Sequence, residues 1–183
     1  MRIRSAATVA VLATVTFVPA SALASSGAGT QGRTTTLRAV YTFVSKFADT
    51  AGVQCLDADF FGGGNRTRVQ VWTCNGSPQQ QWIERSGNPA SSLESVRFRG
   101  MCLDADFFGG GNATVVQLWT CNGTLQQMWR RKPLPDLSTY SELFPTMVLD
   151  RDISVQGNGA KVQLWSKNFQ VQQNWDANLI RFE

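Results

Sequence analysis

The chain has 183 residues, a formal net charge of +4, four cysteines and no histidine. Its length suits one domain with a sizeable core. The mild charge, without basic runs, gives no electrostatic case for nucleic acid or an anionic membrane surface.

Arg2 and Arg4, an apolar run over residues 6–18 and the small-x-small triplet Ala22-Leu23-Ala24 predict a secretory signal peptide over residues 1–24. It is too short for a membrane span, and no other stretch is long and apolar enough to serve as one. Its removal leaves 183 − 24 = 159 residues and takes away two arginines, lowering the net charge to +2. Residues 25–36 are small and polar and read as a flexible leader. From Leu37 the texture changes: AVYTFVSKF, VQCLDAD, RVQVWTC and QQWIER read as four short strands. Between the second and third lies DFFGGGN, a loop, because three consecutive glycines do not hold a strand cheaply. Four more strands follow (SLESVRF, MCLDAD, VVQLWTC, QMWRR), then Pro133 and Pro135, then YSELF, MVLDRD, KVQLWS and QNWDAN. LIRFE is expected to pair near the first strand, and no segment carries a sustained helical period.

The strands belong to one phrase written three times. Cys55–Trp82 matches Cys102–Trp129 at 22 of 28 positions, and Val148–Trp175 matches the middle copy at 13 of 28. Each copy opens on Leu-Asp (Asp57, Asp104, Asp150) and continues with Gln-x-Trp (Gln70/Trp72, Gln117/Trp119, Gln163/Trp165). Each closes on Gln-Gln-x-Trp, with the last tryptophans, Trp82, Trp129 and Trp175, 47 and 46 residues apart. A fixed period of this size means one supersecondary unit repeated. The copies are placed at about 37–84, 85–131 and 132–183. About twelve short strands in three sets predict an all-β architecture closed around a threefold axis, which removes sheet edges.

The cysteines fall one pair per copy at a spacing of nineteen, which predicts disulfides Cys55–Cys74 and Cys102–Cys121 in an exported protein. A metal centre is not expected, because zinc sites favour close Cys-x-x-Cys pairs and histidine. Val148 and Lys167 replace the cysteines in the third copy, which must fold without a staple.

This register of CLD, VQLW, CNG and Q-x-W resembles the ricin B-chain-type lectin family over nearly the whole mature chain. The resemblance implies a β-trefoil that binds sugars, with galactose-type or xylan-type glycans as ligands, no cofactor, and at most a separate catalytic subunit. The residue chemistry agrees. A sugar ring offers a C–H face that lies on an aromatic plane, and a rim of hydroxyls gripped by carboxylates and amides. Each copy holds that set: Asp57, Gln70, Trp72 and Gln79; Asp104, Gln117, Trp119 and Gln126; Asp150, Gln163, Trp165 and Gln172. The family pattern has Asn where this chain has Gln79, Gln126 and Gln172. Trp82, Trp129 and Trp175, with Gln80, Gln127 and Gln173, read as packing and hairpin residues.

The Phe60-Phe61 and Phe107-Phe108 pairs are expected to tuck under their own glycine loops. Four Asn-x-Ser/Thr sequons stand at Asn65, Asn75, Asn112 and Asn122.

Catalysis is not expected. Without histidine there is no ordinary triad, and Asp57 and Asp59 are expected to point to opposite faces. The rival class is a protein-binding trefoil, such as a protease inhibitor or the receptor-docking subunit of a multi-part toxin, since fold does not fix function.

Overall fold

The computed structural model describes residues 36–85 and 90–183. The expected signal peptide, and all of the leader except Thr36, lie outside the described residues. The twelve strands are β1 Ala39–Ser45, β2 Gln54–Ala58, β3 Thr67–Thr73, β4 Trp82–Arg85, β5 Ser92–Ser95, β6 Met101–Ala105, β7 Thr114–Thr120, β8 Trp129–Arg131, β9 Thr139–Ser141, β10 Met147–Arg151, β11 Val162–Ser166 and β12 Trp175–Phe182. Helical structure among the described residues is confined to three single 3₁₀ turns, Pro78–Gln80, Leu125–Gln127 and Val171–Gln173. One sits before the closing tryptophan of each copy.

The strands sort into two sets. β1, β4, β5, β8, β9 and β12 form a closed ring: β1 pairs β4, β4 pairs β5, β8 pairs β9 and β12 pairs β1. Bridges Ser91–Trp129 and Ser138–Asn174 close the remaining gaps. The LIRF segment does pair with the first strand, as a continuation of β12, with Ala39 opposite Phe182. The other six strands are three hairpins, β2/β3, β6/β7 and β10/β11, one per copy. They meet through their second strands, β3 against β7 and β7 against β11, with a Gln70–Lys161 bridge completing the triangle. This is the β-trefoil.

The hairpins interlock in a cycle. Asn65 Oδ1 accepts the Thr120 N–H of the second copy at 2.7 Å, Asn112 Oδ1 accepts the Ser166 N–H of the third at 2.7 Å, and Asn158 Oδ1 accepts the Thr73 N–H of the first at 2.7 Å. The following residue in each loop, Arg66, Ala113 or Gly159, has positive φ and donates its N–H to Leu118, Leu164 or Val71 of the same neighbour. Two of the four sequons, at Asn65 and Asn112, are therefore structural latches.

The core carries the same threefold signature: Leu56, Leu103 and Leu149; Val71, Leu118 and Leu164; Trp82, Trp129 and Trp175. Each closing tryptophan is buried and donates its indole N–H to the carbonyl of the Leu-Asp leucine in its own copy, Leu56, Leu103 or Leu149, at 3.0–3.1 Å. An indole enters an apolar core cheaply only with that donor satisfied. The two disulfides form as expected, Cys55–Cys74 and Cys102–Cys121. In the third copy Lys167 replaces the staple with an ion pair to Asp136 and lies over the Phe169 ring at 5.0 Å.

Candidate functional site

The pleat of each hairpin sets Asp57 opposite Gln70, Asp104 opposite Gln117 and Asp150 opposite Gln163. Each glutamine donates its amide to one carboxylate oxygen, at 3.3, 3.4 and 3.2 Å in chain order. The other oxygen accepts the amide of Gln80, Gln127 or Gln173, at 3.2, 3.1 and 3.1 Å. These three glutamines belong to the 3₁₀ turns. Gln80 also donates to the Thr73 carbonyl and accepts the Asn75 N–H, and its counterparts repeat this, so each turn is locked to its hairpin. The packing role read from the sequence is correct for them, but they also orient the carboxylates. Every carboxylate is thus held by two amides with its spare lone pairs unspent.

In the first copy these groups open onto a pocket of about 220 Å³ lined by Asp57, Asp59, Phe60, Phe61, Gln70, Trp72, Asn75, Ser77 and Gln79. In the second, a pocket of about 160 Å³ is lined by Asp104, Asp106, Phe107, Phe108, Gln117, Trp119, Asn122 and Gln126. All four candidate residues of each copy stand in their pocket. Trp72 is 41% exposed whereas Trp82 is fully buried, so of the two only Trp72 has a ring face open to a ligand. In the third copy Asp150, Gln163 and Gln173 converge in the same way, and Trp165 is half-buried. Gln172, however, is buried there, unlike the half-buried Gln79 and Gln126.

Two expectations from the sequence fail at the loop. The phenylalanines do not tuck in: Phe61 is 92% exposed and Phe108 is 91% exposed, with Phe60 and Phe107 more than half exposed. Nor do Asp57 and Asp59 face apart; both line the first pocket. The reason is that residues two apart along a strand share a face, and Asp59 follows Asp57 by two. Asp59 also starts a turn, its Oδ1 accepting the Phe61 N–H at 3.1 Å, and Asp106 does the same for Phe108. Burial pushes the Asp57 carboxyl above its ordinary value; the nearby Asp59 charge adds to this, and hydrogen bonds from Gln70 and Gln80 partly oppose it. Asp104 and Asp150 are raised for the same main reason.

A hydrogen-bonded carboxylate on the floor, an indole wall and a polar rim make a shallow receptor for a polyol. The ricin-type beta-trefoil lectin domain matches residues 43–175 of the chain. The chain belongs to that family. Membership supports carbohydrate binding in general terms. Solved structures share the fold. The designed threefold symmetric protein ThreeFoil is 22% identical, covering 76% of this chain and 97% of its own, with a TM-score of 0.67. The exo-beta-1,3-galactanase 1,3Gal43A from Clostridium thermocellum is 25% identical over 79% of this chain, with a TM-score of 0.67; the match covers only 30% of the galactanase. The beta-trefoil lectin of the Vibrio vulnificus hemolysin/cytolysin, solved with N-acetyl-D-lactosamine bound, is 20% identical, covering 80% of this chain and 98% of its own, with a TM-score of 0.60. Among the curated proteins no sequence matches the chain.

Proposed function

We propose that this lectin domain is a secreted, non-catalytic carbohydrate-binding protein with one sugar site per copy, taking galactose-type or xylan-type units of a larger glycan. The convergence of carboxylate, two amides and a half-exposed indole in the pockets of copies one and two carries this reading. The galactanase and the lectin crystallised with N-acetyl-D-lactosamine support a galactose-type ligand. Among the described residues no helix is long and apolar enough to cross a membrane. The non-catalytic reading rests on the carboxylates themselves. Glycoside hydrolysis needs two acids free to act across one bond, whereas the Leu-Asp carboxylates stand one per copy and Asp59 is held in its turn. The third site, with a different loop and a buried Gln172, is the weakest.

A glycan array on the secreted protein, compared with the Trp72→Ala/Trp119→Ala double variant, tests the reading. The parent should retain galactose- or xylose-bearing glycans and the variant should lose most of that signal. Absence of any glycan signal, or a signal indifferent to both tryptophans, would refute it.

A further inference from the structure

We propose that the phenylalanine pairs of the first two copies are second sugar platforms, so that sites one and two recognise a linear run of at least two sugar units. This rests on the carbohydrate reading above and names the ligand length that those two sites take. Large apolar side chains at loop tips are costly to leave in water, and such exposed groups mark contact surfaces. Phe61 and Phe108 are over 90% exposed, yet each lines the same pocket as the indole platform of its copy.

The platforms are rigid rather than loose. Within each pair the rings meet edge to face, at 5.5 Å for Phe60–Phe61 and 5.6 Å for Phe107–Phe108. The aspartate turn fixes the backbone on one side of each pair. On the other, Thr67 Oγ1 accepts the Gly63 N–H at 2.9 Å and donates to the Gly64 carbonyl at 2.7 Å; Thr114 repeats both bonds with Gly110 and Gly111. Glycine is required for this clamp, since a Cβ on Gly62 would lie 2.1 Å from the Thr67 methyl. A pre-ordered aromatic face loses little entropy on binding and gives a sugar ring the C–H contact it seeks. The third copy keeps the aspartate turn at Asp152 but lacks the rings and the clamp: Ile153 and Ser154 stand in place of the phenylalanines, and Ala160 replaces the clamping threonine. Its site therefore takes a single unit.

The test uses calorimetry on the secreted protein and on a Phe61→Ala/Phe108→Ala variant, with galactose and β-1,3-galactotriose, and in parallel with xylose and xylotriose. Both side chains are on the surface, and circular dichroism confirms that the variant is folded. In the series that binds, the trisaccharide should bind the parent about tenfold more tightly than the monosaccharide. The variant should lose that increment and keep its monosaccharide affinity. Monosaccharide binding with a trisaccharide increment that is absent, or that survives the variant, overturns the second platform while leaving the lectin reading intact. Failure of all four sugars overturns both. Binding of the parent to phosphatidylcholine vesicles, lost in the variant, also overturns the proposal and makes the phenylalanines lipid anchors.

Discussion

Arg151 occupies the position held by Ala58 and Ala105 in the other copies, and it is fully buried against an equally buried Asp49. Its guanidinium also donates to Gln54 at 3.1 Å and lies over the Phe47 ring at 4.6 Å. Asp49 in turn accepts the Ala51 N–H at 2.9 Å and the Gly157 N–H at 3.0 Å, so one carboxylate ties the approach to β2 to the loop of the third copy. Replacing Asp49 with asparagine keeps the shape and one acceptor and removes the charge. The buried guanidinium is then uncompensated, which costs about 3–5 kcal/mol. For a domain of this size that lowers the melting temperature by roughly 10 °C. The comparison is Lys46→Ala, which breaks the half-exposed Lys46–Asp176 pair and should cost at most about 1 kcal/mol. The Asp49→Asn/Arg151→Ala double variant should recover part of the loss, because the stranded charge is the damage and alanine already fills this position twice. Differential scanning calorimetry reads all three. An Asp49→Asn shift no larger than that of Lys46→Ala, or a double variant no better than the single, would refute the argument. Burial opposes the Asp49 charge, but the Ala51 and Gly157 N–H groups and Arg151 outweigh it and hold the carboxyl below its ordinary value. Its contribution is therefore complete above the ordinary carboxyl range and is shed only as pH falls through the depressed value.

The site carboxylates have the opposite sign. Because Asp57, Asp104 and Asp150 are raised, sugar affinity should fall on acidification before ordinary carboxyls titrate, above about pH 4, while protonation of these three favours the folded state; a calorimetric pH series with unchanged affinity down to that pH would contradict this. At the interlocking loops, Gly159 has φ +86° and its added Cβ would meet nothing closer than 3.9 Å. Gly159→Ala should therefore cost about 1 kcal/mol from backbone strain alone, read as a lowered urea midpoint with unchanged slope; no loss would mean that the left-handed conformation is not enforced there.

Much of this was legible in the sequence because the repeat acts as its own control. A Leu-Asp, a Gln-x-Trp and a cysteine pair at fixed offsets place the strands, the disulfides and the pocket walls together. Local pattern could not separate Trp72 from Trp82, since each stands two residues after a glutamine; the resemblance to the lectin family assigned them. What failed lay at strand ends. Asp59 lies just past the end of β2 at Ala58, yet it shares the side of Asp57 because residues two apart along an extended chain face the same way. The exposure of Phe61 goes with a threonine clamp five residues beyond the glycines' start, a contact that phenylalanine's average preference for burial conceals. The Arg151–Asp49 pair joins residues 102 apart, and no spacing announces it.

The ring is closed by β1 and β12, and this has a consequence in time. β1 is made early, but its partner spans residues 175–182, so for most of synthesis one edge of β1 stands unpaired. Contacts this distant in sequence form slowly, after the local hairpins. During that interval the waiting edge faces two nearly identical copies, whose strands differ little from one another in sequence. Pairing with the wrong copy, or with the same strand of a neighbouring chain, is the characteristic failure of repeat proteins. The divergent third copy, with its ion pair in place of a disulfide and its own arginine lock, gives the chain one set of strands that the other two do not imitate.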